Sequence, residues 1–175
     1  MRRRRLQLAA VVAVAGLLGV VAAAVAGGGS RDVREHLTGY EEVPSLSTMS
    51  SGDFRADVGE NEISYRLSYN DLEDDVTQAH IHLGNEGVNA GVSAFLCSNL
   101  PNPPAGTPAC PLREGTVRGT IERADVIGPA DQGIAGGEYE ELARAIRAGA
   151  TYANVHSKKY PGGEIRAQLE RGRGH

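Results

Sequence analysis

The chain has no tryptophan, two phenylalanines and two cysteines in 175 residues, and its lysines are confined to Lys158 and Lys159. A core must therefore be built from Val, Ile, Leu, Ala and Tyr, which suffices for a single domain that buries about two thirds of its chain surface. Also missing are a G-x-S-x-G elbow, a P-loop, a G-x-G-x-x-G after a strand and an H-E-x-x-H helix, which removes the hydrolase and nucleotide chemistries those motifs serve. No basic block lies in the part expected to fold, which argues against nucleic acid as a partner, because phosphate binding draws on clustered Lys and Arg.

What is present is a globular composition, 41% apolar and 23% charged, with a formal net charge of -4. These values belong to one folded domain. Four arginines, Arg2 to Arg5, precede an apolar run from Leu6 to Val21 and an A-x-A site at Ala24-Val25-Ala26. That order reads as a cleaved secretory signal over residues 1–26, with a flexible linker over 27–34 and a loose tail over 171–175. An uncleaved membrane anchor is the alternative, and the only route to a membrane the sequence offers, since the run approaches the ~20 residues that span a bilayer. Removing the four arginines takes the basic count from 18 to 14 against 22 acids, a net charge of -8. The expected mature protein is acidic and secreted or extracytoplasmic.

Cys97 and Cys110 are an even pair in a chain with an export-like start, and prolines and glycine fill the stretch between them. A disulfide is expected. A thiolate metal site lacks support, because the pair has none of the close C-x-x-C bite of structural zinc sites.

Period-two alternation predicts a hairpin over 53–69, with Phe54, Ala56 and Val58 and then Ile63, Tyr65, Leu67 and Tyr69 facing inward around the Gly59-Glu60-Asn61 turn. Further strands are predicted at Val76–Leu83, Gly91–Leu96 and Gly115–Glu122, with a closing hairpin of Thr151–His156 and Gly163–Leu169. Helical spacing occurs once, over about 138–148, where Tyr139, Leu142, Ala143 and Ile146 share a face before Gly149. The fold class is all-β: an antiparallel sandwich or barrel with one short connecting helix.

His80-Ile81-His82 sets two imidazoles on the same side of a strand, about 6.5 Å apart for a rise of ~3.3 Å per residue. His156, on the polar face of another strand, completes a set of three suited to Zn, Cu, Ni or Fe. Two readings stay open: chelation of one ion, or no metal, with His80 and His82 solvated on an outer face and His156 bonded to nearby backbone. Glu164 and Arg166 share a side and are candidates to orient the ligands, or simply to pair with each other. Asn154 is disfavoured in a strand by propensity and joins the same polar patch. The acids Asp71, Glu73, Asp74 and Asp75 lack the ligand spacing of a calcium loop and read as a solvated turn.

Four ordered stretches, Leu37-Thr38-Gly39-Tyr40-Glu41-Glu42-Val43-Pro44, Ala79-His80-Ile81-His82-Leu83-Gly84, Tyr152-Ala153-Asn154-Val155-His156-Ser157 and Pro161-Gly162-Gly163-Glu164-Ile165-Arg166-Ala167-Gln168-Leu169, resemble the successive signatures of the CHRD domain, the repeat first recognised in chordin. The resemblance places a CHRD domain over 35–170 and departs from the family pattern at Ser157 and Ala167. The His80-Ile81-His82 strand is also locally similar to the H-V-H strand of Cu/Zn superoxide dismutase, which implies a Greek-key-like arrangement and makes copper the first candidate cofactor, with zinc the second. The bridging histidine and zinc-site Asp set of that enzyme have no counterpart. The growth-factor binding of chordin does not carry over on these motifs alone. The expectation is an exported interaction module for an extracytoplasmic protein or small ligand, not an enzyme, with a metal on His80, His82 and His156; the competing expectation is a mononuclear copper redox or metal-handling protein.

Overall fold

The computed structural model describes residues 31–170. The expected signal segment, the start of the expected linker and the tail at 171–175 lie outside them. The strands are β1 (Arg31–Thr38), β2 (Ser51–Val58), β3 (Ile63–Asn70), β4 (Val76–Leu83), β5 (Val92–Ser98), β6 (Gly115–Ile121), β7 (Thr151–Ser157) and β8 (Ile165–Gln168), with one α-helix, α1 (Tyr139–Ala148), between β6 and β7. They form a single sheet in the order β5-β4-β7-β8-β1-β2-β3-β6, every pair antiparallel. The edge strands β5 and β6 come together, and the Tyr65 hydroxyl on β3 donates to the Leu96 carbonyl on β5 at 2.6 Å. The sheet thus curls into a nearly closed barrel. Going round it, β7, β4, β5 and β6 are neighbours in that order, which is a Greek key.

The expected alternation is seen on β2 and β3, where Phe54, Ala56, Val58, Ile63, Tyr65, Leu67 and Tyr69 are buried and the residues between them face outward. Helix α1 buries Tyr139, Leu142, Ala143 and Ile146 and stops at Gly149, whose φ of 75° lies in the left-handed region and whose amide bonds back to Ala145 and Ile146. The first strand begins at Arg31, inside the segment expected as a linker, and lies in the body of the sheet between β8 and β2. Charged residues alternate there with Val33 and Leu37, both wholly buried.

Strand β4 departs from strict alternation. Its register against β7 shifts between Val76 and Gln78, and against β5 at two points flanking His80 and Ile81. Such bulges re-aim side chains: Val76 joins Ala79 and Ile81 in the core, and Phe95 comes opposite His80. A disulfide joins Cys97, near the end of β5, to Cys110, 13 positions on, as expected. Acids before β4 are tied to basic side chains from distant segments rather than to solvent alone, with Asp75 paired to Lys158 and Arg113, and Glu73 to Lys159. Every residue of β7 is buried, so this strand is covered on both faces. That second covering creates the site.

Candidate metal centre

On paired strands the inward and outward sets match across the ladder. Ala79 and Ile81 of β4 lie opposite Val155 and Ala153 of β7 and fill the barrel, while His80 is paired with Asn154 and His82 with Tyr152 on the outer face. An outer face is normally wet. Here the chain of residues 84–91, the segment around Glu42 and the turn at 160–163 fold over it, leaving His80, His82 and His156 only 2%, 6% and 7% exposed. The expectation that His80 and His82 are solvated therefore fails, whereas His156 does bond to nearby backbone, at Pro161.

The three imidazoles are brought together. Their rings are 5.4 Å apart for His80 and His82, 5.0 Å for His80 and His156, and 6.2 Å for His82 and His156, centroid to centroid. One ring nitrogen from each falls within 4.8 Å of the other two. For Zn–N bonds of about 2.1 Å the donors on one tetrahedral ion stand roughly 3.4 Å apart, so the rings have to close by about an ångström.

The hydrogen bonds fix the tautomers. A carbonyl only accepts, so Nδ1 of His82 donates to Ala90 at 2.9 Å and Nδ1 of His156 to Pro161 at 3.0 Å. Each of these rings is thereby left with a lone pair on Nε2, the arrangement by which a backbone carbonyl orients a metal-binding histidine. Nδ1 of His80 lies 3.1 Å from Nε2 of His156 and is the donor of that pair. Its own Nε2 is buried with no partner. The remaining contact, Nε2 of His82 to Oδ1 of Asn154 at 3.1 Å, brings a lone pair against an acceptor. The amide cannot turn to relieve it freely, because its nitrogen serves the Glu42 carboxylate. Three neutral rings thus supply one proton fewer than the acceptors around them require.

Burial pushes His80 down to about 2, helped by the neighbouring His156 and His82. Burial also takes His156 down to about 4, against the opposing bond to Pro161, and lowers His82 although the acceptors of Ala90 and Asn154 favour its charged form. All three are neutral at physiological pH, the form that ligates metal. The donor set suits copper or zinc.

The family model of the CHRD domain matches residues 33–169. The chain belongs to the CHRD domain family. Searches of curated proteins and of solved structures gave no match.

Within this CHRD domain the other expected residues divide. Asn154 touches His82, as described. Arg166 reaches the patch but forms no ion pair with Glu164 among the described residues. Its guanidinium lies over the Tyr152 ring, 3.4 Å from the centroid, and donates to the carbonyls of Val88 at 3.0 Å and Asn85 at 3.2 Å. Tyr152 in turn stacks on His82 with the rings 2° from parallel at 4.6 Å and donates no proton to it, its hydroxyl accepting from the Ala90 amide. Arg166 therefore pins the covering segment, and through it the carbonyl that orients His82. Glu164 is engaged elsewhere: its Oε1 accepts from Ser50 Oγ at 2.5 Å and from the Glu73 amide at 2.8 Å. The notion that Glu164 orients an imidazole finds no hydrogen bond to support it. Segments from other parts of the chain, Ser50 and Glu73 for Glu164 and Asn85 and Val88 for Arg166, supply the partners of each.

Three residues of the patch carried no assigned role in the sequence. Phe95 meets His80 edge-on at 4.4 Å and helps keep it dry. Tyr152 stood on the polar face of its strand, where an aromatic next to Asn154 and His156 was the available signal. Glu42 is a buried carboxylate pushed up to about 7 by burial, with Arg166 and Asn154 opposing that shift. It lies in the first CHRD-like stretch, but no periodicity there told its buried carboxylate from the exposed Glu41 beside it.

Proposed function

We propose that this CHRD-domain protein is an exported interaction module whose outer sheet face holds one copper or zinc ion on His80, His82 and His156. The observation that carries the reading is the proton deficit of the buried trio: His80 Nε2 has no partner, and His82 faces two acceptors with one proton. When bound, the ion supplies a fixed positive charge at that point. The chain's own groups do the rest: Ala90 and Pro161 orient two ligands, Tyr152 and Phe95 exclude water, and Arg166 holds the lid.

Supporting export are the CHRD family membership, the Cys97–Cys110 disulfide, a bond of oxidising compartments, and the Arg2–Arg5 n-region with its Ala24-Val25-Ala26 site. No helix among the described residues is long and apolar enough to cross a membrane. The near-complete burial of the imidazoles favours a structural or affinity-tuning ion over a copper redox centre, which needs an open coordination position for its substrate.

Mass spectrometry of the protein recovered from the medium tests export: the expected start is at or near Gly27, with a mass two hydrogens below the dithiol. An intact N-terminus with free Cys97 and Cys110 overturns that part. Thermal melts with and without Zn²⁺ or Cu²⁺ test the site. The wild type rises with metal and His156→Leu does not; equal shifts in both contradict the assignment.

A further inference from the structure

The sheet register assembles a row that the sequence scatters. Arg34 on β1 is directly opposite Arg55 on β2, Arg55 is opposite Arg66 on β3, and Arg66 is opposite Arg118 on β6. These four strands are consecutive, and all four arginines point away from the core and are exposed. With strands about 4.8 Å apart, the row spans roughly 14 Å. Like charges directly opposite destabilise a sheet by amounts comparable to the ~0.2–1 kcal/mol of a favourable pair, and here three such juxtapositions follow one another. Only Arg34 is in an ion pair among the described residues, with Asp32.

What flanks the row differs between its halves. Beside Arg34 and Arg55 stand Asp32, Asp53 and Asp57, which moderate the charge. Along β3 and β6 themselves the outward residues beside Arg66 and Arg118 are hydroxyls, Ser64 opposite Thr120 on one side and Ser68 opposite Thr116 on the other. A notch of about 180 Å³ between Arg55 and Arg66, bounded by Asp53 and Ser68, opens in the row itself.

We propose that this arginine row is a binding site for an acidic polysaccharide, a linear chain carrying one carboxylate or sulfate on successive sugar rings. Evenly spaced guanidiniums match evenly spaced anions, and each guanidinium offers a two-pronged fork that fits a carboxylate or sulfate. The hydroxyl rows pair with ring hydroxyls on either side. Among its outward residues the face carries no Phe, Tyr or Trp, and its one imidazole, His36, is paired with Asp53, so it lacks the row of stacking rings by which single-stranded nucleic acid is held. The interspersed aspartates and the acidic whole work against a duplex, whose charge is denser.

The site lies on the β1-β2-β3-β6 side of the barrel, separate from the histidines on β4 and β7, so its test stands apart from that of the metal. The full secreted chain is passed at low ionic strength over immobilised heparin, which carries sulfates, and over immobilised polygalacturonate, which carries carboxylates only. Retention on either, released by salt, is expected, and the matrix that retains it identifies the anion. Arg55→Gln, Arg66→Gln and Arg118→Gln combined are expected to weaken binding at least tenfold without lowering the melting temperature. Arg123→Gln with Arg144→Gln, exposed arginines off the row that pair with Glu140 and Glu141, leaves binding unchanged. Passage through both matrices overturns the proposal, as does a row variant that binds like the wild type. Tighter binding to duplex DNA than to either polysaccharide also overturns it.

Discussion

His82 Nε2 and Asn154 Oδ1 meet across β4 and β7 at 3.1 Å, two acceptors face to face while the His82 proton is held by Ala90. On the proposed reading a cation between the imidazoles would resolve the conflict, which makes Asn154, in contact with His82 from the diagonal position on β7, a gauge of it. Asn154→Asp places a second carboxylate beside Glu42 and is expected to lower the melting temperature in the presence of a chelator. Zinc then restores more stability to the variant than to the wild type, because the new anion favours the ion. Differential scanning fluorimetry with EDTA and with Zn²⁺ checks this; a smaller zinc shift in the variant contradicts it.

Stability of the metal-free protein falls on acidification. The folded chain keeps His80 and His156 neutral down to about 2 and about 4, whereas both titrate near 6.5 when unfolded. Below about 6.5 the unfolded state binds more protons, and each histidine costs about 1.4 kcal/mol per pH unit. Glu42, raised to about 7 from 4.5, acts the other way: between those values the folded state holds the extra proton, so its contribution is lost as pH rises. His82, also lowered by burial, adds to the two other histidines, and Glu41, also raised by burial, adds to Glu42, so the net is a loss on the order of 1 kcal/mol in going from pH 6 to pH 5. Urea unfolding at pH 7.5, 6 and 5 in EDTA measures it, and constant stability over that range refutes the burial of neutral imidazoles.

The parts of this fold that were legible in the sequence are those where the inward set is wholly apolar. Phe54-Ala56-Val58 and Ile63-Tyr65-Leu67-Tyr69 announce β2 and β3, and Tyr139-Leu142-Ala143-Ile146 announces α1. Strand β1 was hidden because Glu35 stands between Val33 and Leu37 on the inward side, its carboxylate accepting from the Glu170 amide at the barrel end. The histidine trio was legible as strand parity on β4 and β7. Its burial was not, since the cover comes from residues 84–91 and Glu42, held by contacts to Arg166 that span 78 and 81 positions along the chain. The row of arginines was illegible for the same reason: only the register of four strands collects it.

Reducing the disulfide loosens the long loop between β5 and β6 at the seam of the barrel. Replacing Cys97 and Cys110 together by Ser is expected to cost about 3 kcal/mol in the chain-entropy account of a loop this size. Chemical denaturation of the double variant measures the loss; stability within 0.5 kcal/mol or so of the wild type would show that the seam does not depend on the bond.

Gly163 sits where the cover meets the patch. Its φ is 131°, and an added Cβ would stand 2.5 Å from Glu42 Oε1 and 2.7 Å from Asn154 Nδ2. Gly163→Ala must therefore push the Glu42 and Asn154 side chains apart, at a cost of about 1–3 kcal/mol. A variant as stable as the wild type, with metal uptake intact, would mean that this contact does not hold the cover in place.

The most direct test of the three-histidine centre is the metal content of the folded protein. After loading with Zn²⁺ or Cu²⁺ and removal of free metal by gel filtration, elemental analysis is expected to give one ion per chain for the wild type. The triple variant His80→Gln, His82→Gln, His156→Gln, confirmed as folded by circular dichroism, is expected to give none. A wild type that retains no stoichiometric metal, or a triple variant that retains as much, would contradict the account.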